Sequence, residues 1–335
     1  MNRIGIMGGA GFIGSALARR LSRSFTVRIL DRKPISKDFG SRVEYQSCDL
    51  REYDDVRRGL EDVDLVIHTA IIQIPLINEA KRLGYEVNIL GTQNICEAVE
   101  RNPSVKGMIL TGSWHVIGER GLRGVIDEEF GFRPEKVEDR AHLYALCKIG
   151  QEMIVRVFDE MSEKIYGMIR MGTVLGEGMP RETAAAKFLM NGLAGKPLTP
   201  YKHSMHRPML YVDVNDVCEA FEAYGKKVLD SEITKGAGKL SPTVNVYWPV
   251  PVTVIELAEM IRSVIIEYSN GNIKPLIEIV DKGQRSLFDA DDKNRIKVDA
   301  SRLRSFLGLQ RMTSPKETIE RLVKEKLLEA NLSLY

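Results

Sequence analysis

The sequence predicts an α/β fold: a doubly wound parallel sheet with a smaller C-terminal α/β lobe. Three observations predict it. Short apolar runs alternate with amphipathic helical patterns through the first half of the 335-residue chain, which implies parallel strands covered by helices on both faces. A turn rich in glycine, Gly8-Gly9-Ala10-Gly11-Phe12-Ile13-Gly14, stands between the first apolar run and the first helical pattern, where sheets of this kind hold a pyrophosphate. After about Gly172 the alternation fades, and Pro180, Pro197, Pro200, Pro208, Pro242, Pro249, Pro251 and Pro275 crowd the remainder. The expected division is residues 1–172 for the sheet domain and 173–335 mainly for a substrate-binding lobe, with some segments free to return to the sheet.

Each element follows from its pattern. Strands are expected at 3–8, 26–31, 43–47, 64–69, 105–111 and 165–170, and helices near 12–23, 53–60, 84–100 and 141–161. Phe12, Ile13, Ala16, Leu17 and Leu21 carry the helical period behind the glycine turn. The charged stretch 314–328 reads as an amphipathic cover.

Bulk properties narrow the function. At 44% hydrophobic content the chain can bury a large core, and its net charge of +2 offers no field for nucleic acid or an anionic membrane. Cys48, Cys96, Cys147 and Cys218 are scattered rather than set at metal or redox spacing, as buried thiols in a reducing compartment would be. No His/Asp/Glu cluster has metal spacing, so no metal is expected. No apolar run approaches membrane-spanning length, and the first strand begins almost at once, so a cytoplasmic location without a signal peptide is expected.

The glycine turn suits a dinucleotide in a Rossmann domain. Gly8 permits the tight turn, Gly11 lets backbone N–H groups approach phosphate, and Gly14 lets helix and strand pack closely. The bare alternative is a tight turn with no ligand. Asp31 ends the second strand at the distance expected for a carboxylate that accepts from the adenosine ribose hydroxyls. Such a carboxylate repels a 2′-phosphate and favours NAD over NADP, although Arg32 and Lys33 blunt the argument, and a turn residue before Pro34 is the other reading of Asp31.

Tyr144 and Lys148 are four apart in a predicted helix and project from one face. A free tyrosine, with a pKa of about 10, needs roughly 4 kcal/mol of preferential phenolate stabilisation to be half-ionised at neutral pH. A nearby ammonium supplies part of it, and an oxidised nicotinamide supplies more. Such pairs are common on helix surfaces; the position after the fifth strand of a dinucleotide fold is what gives this one weight. Ser113, at the end of that strand, can hydrogen-bond a reacting oxygen and the tyrosine hydroxyl, or simply cap its own turn.

Together these residues resemble the extended short-chain dehydrogenase/reductase group, in particular the NAD-dependent sugar-nucleotide epimerase/dehydratase family, of UDP-glucose 4-epimerase type. The resemblance rests on the glycine turn, Asp31, Asp49-Leu50, His68-Thr69-Ala70, Asn88 with Gly91-Thr92, Ser113, Tyr144 with Lys148, Arg170, and Asp299-Ala300-Ser301 before Leu307-Gly308. It implies that Asp49 and Leu50 contact adenine, that Thr69, Ala70 and Ile71 border the cofactor, and that Asn88 supports the site from beneath. Phe12, Ile13, Arg32, Thr111 and Met171 complete the implied NAD surface. Ser113, Tyr144 and Lys148 match the catalytic triad, and Thr173 and Arg207 match substrate positions, Arg207 on the nucleotide phosphates. Plainer readings remain: Asp49 as a helix cap, Asn88 as a buried hydrogen-bonder, Arg207 as a surface charge. The resemblance also implies a homodimer through a four-helix bundle, with Ile89, Ile95, Ala98, Val99, Ile149, Met153, Ile154 and Val157 as candidate contacts, although these fit a sheet-facing core equally well.

Departures sharpen the expectation. The 4,6-dehydratases usually carry Asp-Glu directly after the catalytic hydroxyl residue, and the related decarboxylases usually carry Glu at the second position; this chain has Trp114-His115. Dehydration and decarboxylation lose their side chains, and simple hydride chemistry survives. Ile117 stands where epimerases usually have Tyr, His142-Leu143 where they often have Ser-Pro, and Thr173 where a substrate-holding Asn is common. The segment Trp114-His115-Val116-Ile117-Gly118 is also similar to that of uronate dehydrogenases. His115 either contacts substrate or plugs its loop, and His68 reads as a satisfied histidine at a strand end. The first expectation is a 4-epimerase working through a transient 4-keto sugar with Tyr144 as base. The second is a dehydrogenase of a uronate or similar small hydroxy compound. The third is a non-enzymatic cofactor-binding scaffold, against which the intact triad argues.

Overall fold

A computed structural model describes residues 1–35, 38–235 and 240–332. Its centre is a parallel sheet of seven strands, β1 (Arg3–Met7), β2 (Thr26–Asp31), β3 (Val43–Ser47), β4 (Leu65–His68), β5 (Gly107–Ser113), β7 (Ile165–Met171) and β11 (Thr243–Val246), in the order β11-β7-β5-β4-β1-β2-β3. Between β5 and β7 lies the short β6 (Gly124–Ile126), and between β7 and β11 lie β8 (Thr173–Leu175), β9 (Pro208–Met209) and β10 (Tyr211–Asp213). The first six sheet strands fall where the apolar runs predict them, to within two residues at either end. The seventh comes from the C-terminal half, so the chain after residue 172 does return to the sheet.

Strand alternation sends side chains to two helical layers. Ile4 and Ile6 of β1 face α1 (Phe12–Leu21), α8 (Val214–Leu229) and α10 (Ser301–Leu307), while Met7 faces the layer that holds α2 (Tyr53–Gly59), α5 (Gly91–Arg101) and α6 (His142–Met161). A third core under the C-terminal lobe packs Phe188 of α7 (Ala184–Leu193), Leu257 and Ile261 of α9 (Val254–Tyr268) and Leu322 of α11 (Pro315–Leu332) against Trp114 and Val116. The four cysteines are buried and free. Among the described residues no helix is long and apolar enough to cross a membrane.

The expected helix 84–100 is broken into α4 (Lys81–Tyr85), a π-helical turn over Glu86–Leu90 and α5, after the short α3 (Leu76–Glu79). Ile89 of that turn packs on α6 at Gly150, where a Cβ would come within 2.7 Å of Ile89 Cδ1. The candidate dimer residues divide: Ile95, Ala98 and Val99 are turned into the core, whereas Met153 and Val157 stand out to solvent together with Leu90 and Leu146.

The sheet order reverses between β1 and β4, and the crevice outside the strand ends at such a point is where α/β sheets bind ligands. Most candidate site residues lie on elements that end at, or border, that crevice.

Candidate active site

The glycine turn is built by close approach. Gly8 has φ +78°, and a Cβ on it would lie 2.6 Å from Ala70 Cα, in the turn after β4. A Cβ on Gly14 would lie 2.4 Å from the Gly8 carbonyl oxygen, so α1 presses directly onto the turn. Gly11 is the extended N-cap of α1, with no side-chain cap and no acidic residue in the first turn. The amides of Phe12, Ile13 and Gly14 therefore open toward the crevice with the positive end of the helix dipole. Asp31 accepts from the Ala10 N–H at 3.1 Å and the Lys33 N–H at 2.9 Å, which places its carboxylate beside the turn. Arg32 points to Asp49 at 3.4 Å, and Arg51 grips the same carboxylate at 2.6 Å and holds its pKa below the usual value.

The far wall is tied to this turn. The Thr69 hydroxyl and amide donate to the Met7 carbonyl at 2.8 and 2.9 Å. Asn88, fully buried in the π-helical turn, accepts from the Ile72 N–H at 2.7 Å and donates to the Ile72 carbonyl at 3.2 Å. It clamps the loop that carries Ala70 and Ile71. Leu50 is buried, and its carbonyl accepts from Asn94. This surface fits a dinucleotide: a cradle where side chains are excluded, free helical amides for phosphate and a carboxylate for ribose.

Ser113, Tyr144 and Lys148 converge at the end of β5. Lys148 is 3% exposed and donates to the Thr111 carbonyl at 2.7 Å, while the Thr111 hydroxyl donates to the His68 carbonyl. Burial pushes the Lys148 pKa down to about 7, with Cys147 and Glu152 opposing. Burial raises the Tyr144 pKa, and the Ser113 hydroxyl beside it pulls the other way. The ammonium is thus turned to Thr111, and the phenolate is not prepared by the chain alone. Met171, opposite Ser113 across the β5–β7 pair, closes one side. His68 is fully buried with Nε2 2.9 Å from the Thr92 hydroxyl, and burial, then Lys148, pushes its pKa down to about 3.

Two expected substrate residues are placed differently. The Arg207 guanidinium is 7% exposed and paired with Glu138, with Glu119 3.8 Å away. It stands in an ion-pair cluster rather than open to a phosphate. Thr173 half-faces the lobe, and its hydroxyl accepts from Trp114 Nε1 at 3.2 Å. The His115 ring is edge-on to Tyr144 at 5.5 Å, and Nδ1 lies 3.2 Å from Ser113 Oγ. Sequence reasoning passed over Glu119, Glu138 and Glu152. Glu152 is four residues after Lys148 and binds Arg170 at 2.5 and 3.1 Å, so helical spacing carried a signal for it. Glu138 and Glu119 carried none, because loops bring them in.

Residues 4–233 match the NAD dependent epimerase/dehydratase family. The chain belongs to that family. The members of that family are NAD-dependent, and NAD is a cofactor that the glycine turn and Asp31 fit. A protein of Methanocaldococcus jannaschii, provisionally named a UDP-glucose 4-epimerase, is 29% identical over 178 residues, 51% of this chain and 56% of the relative. The uronate dehydrogenase of Pseudomonas syringae pv. tomato is 32% identical over 181 residues, 53% of this chain and 60% of that protein. The chain thus spans somewhat over half the length of these curated relatives. The Thermus thermophilus UDP-glucose 4-epimerase, solved with NAD, shares the fold with a TM-score of 0.76 at 23% identity, covering 96% of this chain and 98% of that one.

Proposed function

We propose that the protein oxidises a carbinol carbon of a nucleotide sugar and reduces it again on the other face, as a 4-epimerase with a transient keto intermediate. The observation that carries this reading is the convergence of Ser113, Tyr144 and Lys148 beside the glycine cradle. When bound, NAD supplies the hydride acceptor. Tyr144 takes the proton of the reacting hydroxyl, Ser113 guides it, and Lys148, now on the Thr111 carbonyl, is the residue that would hold the nicotinamide ribose. The lobe over the crevice holds the sugar while it turns.

A second reading is favoured by Arg207. Its engagement with Glu138 and Glu119 removes the cation expected on the nucleotide phosphates, which suits net dehydrogenation of a uronate or other small hydroxy compound. One experiment separates the two. Purified protein is offered UDP-, GDP- and dTDP-sugars and free uronates, with bound cofactor identified on the same sample. Sugar interconversion on retained NAD supports the epimerase; accumulation of NADH absorbance supports the dehydrogenase. Tyr144→Phe lowers kcat at least about 10³-fold in either case while NAD affinity stays within a factor of about two; loss of NAD binding instead would make the tyrosine structural. The proposed partner is a second copy of the chain, docked through the outward stripe of Leu146, Met153 and Val157 on α6.

A further inference from the structure

Beyond the triad, Ser113 is joined to a second chain of groups. His115 Nδ1 lies 3.2 Å from Ser113 Oγ, and His115 Nε2 lies 3.4 Å from Glu119 Oε1. Glu119 is 1% exposed. Its Oε2 accepts from the Glu138 backbone N–H at 3.1 Å, while its Oε1 completes no hydrogen bond and faces His115 Nε2 and, at 3.8 Å, Arg207 Nη1. A carboxylate has only acceptors. A carboxylate this close to Nε2 favours a hydrogen on that nitrogen, which leaves a lone pair on Nδ1. That lone pair can only accept, and the Ser113 hydroxyl is the donor in reach. The His115 backbone N–H, at 3.3 Å from the same oxygen, helps to hold Ser113 in place.

We propose that Glu119 locks His115 in the Nε2-protonated tautomer, so that His115 Nδ1 is the terminal acceptor for the proton leaving the reacting hydroxyl. The inference rests on the hydride-transfer reading above. As the carbinol C–H gives its hydride to an oxidised nicotinamide, the hydroxyl proton passes to Tyr144 Oη. The tyrosine proton passes to Ser113 Oγ, and the serine proton passes to Nδ1. The alcohol becomes a carbonyl, the nicotinamide is reduced, and the proton rests on an imidazolium facing the Glu119 carboxylate. Return of hydride runs the same transfers backward. A relay of this kind answers the difficulty at Tyr144, whose phenol is raised by burial and whose lysine is turned to Thr111: no free phenolate has to accumulate.

The groups facing the imidazole are consistent with it. Tyr144 comes from α6, Glu138 and Arg140 from the segment before that helix, and Arg207 from the lobe. Burial lowers the His115 pKa, with Glu119 opposing, which favours the neutral ring that can accept. Arg207 holds Glu119 ionised against its burial. Glu119 is thus a positioning residue that acts through His115.

The test reads tautomer and kinetics separately. Nitrogen NMR of histidine-labelled protein, with His115→Gln used for assignment, is expected to show Nε2 protonated and Nδ1 bare at pH 7 in the unaltered chain. Glu119→Gln, whose amide can face either way, is expected to mix the tautomers. A protonated Nδ1 in the unaltered chain, or a full imidazolium at pH 7, overturns the proposal. With UDP-glucose, UDP-glucuronate and D-galacturonate as probes, His115→Gln and Glu119→Gln lower kcat by about 10²-fold at nearly constant KM and NAD affinity, and the acid limb of the kcat profile moves. Glu119→Asp recovers part of the rate. Unchanged kcat and an unshifted profile in both variants overturn the relay. Absence of turnover in the unaltered chain with all three probes counts against the hydride-transfer reading instead, while the spectra still decide the tautomer.

Discussion

The two halves of the crevice are built on different principles. The cofactor half is made of backbone: Gly8, Gly11 and Gly14, the first amides of α1 and one carboxylate at the end of β2, all within residues 8–31. The half proposed for acid–base chemistry is made of side chains brought from distant places: Ser113 and His115, Glu119, Glu138, Tyr144, Lys148 and Arg207. A backbone site is set by local geometry and tolerates almost no added atom. A side-chain site is set by a network of charges, and its properties change when any distant member is lost.

That contrast makes opposite demands on variants. The largest effect belongs to the backbone half. Gly8→Ala puts a Cβ into the Ala70 backbone at a φ of +78°, so NAD affinity falls by at least about 10³-fold, by calorimetry, while Ser113 and Tyr144 stay intact. Normal NAD binding by this variant would erase the distinction between the halves. Next comes Arg207→Met, which leaves the buried Glu119 without a cation nearby and Glu138 with Arg140 alone. The expected loss is about 3–5 kcal/mol of stability, read from urea unfolding. If KM rises while stability holds, Arg207 serves the substrate after all.

Lys148→Met sharpens the comparison through pH. The folded pKa of Lys148, about 7, lies below its ordinary value of 10.5. Between those two pH values the unfolded chain carries a proton that the folded chain has shed, so stability rises with pH across that window and the penalty of the buried ammonium is complete below it. In the cofactor-free protein, the stability of Lys148→Met relative to the unaltered chain is therefore greatest at or below pH 7 and declines toward pH 10, by about 1.4 kcal/mol per pH unit within the window. A difference that is flat with pH would mean that the lysine is solvated. The smallest effect is expected from Asp31→Asn. It keeps the hydrogen bond to the Ala10 amide but loses the charge, and NAD affinity falls about tenfold, near 1.4 kcal/mol.

The legibility of the two halves follows the same line. The glycine turn, Asp31 and six of the seven sheet strands were readable because each depends on neighbours close in the chain. Ser113, Tyr144 and Lys148 were found partly by spacing and partly by resemblance, and the structure does bring them together. Arg207 was assigned to phosphate because nothing in its own segment announces Glu138, which is 69 residues away. His115 was read as a plug or a substrate contact because its partner Glu119, although four residues on, follows a 3₁₀ turn over Trp114–Ile117 rather than an α-helix.

What the chain determined by itself is the periodicity of its strands and helices, the cradle that only glycine permits and the kind of cofactor that such a cradle holds, because backbone conformation is decided within a few residues. The tertiary structure alone decided which charges meet in the dark beside Tyr144, which way Lys148 points, and that the last sheet strand returns from residues 243–246. Those outcomes depend on burial and on pairing across long loops. Both raise electrostatic energies only once water has been excluded.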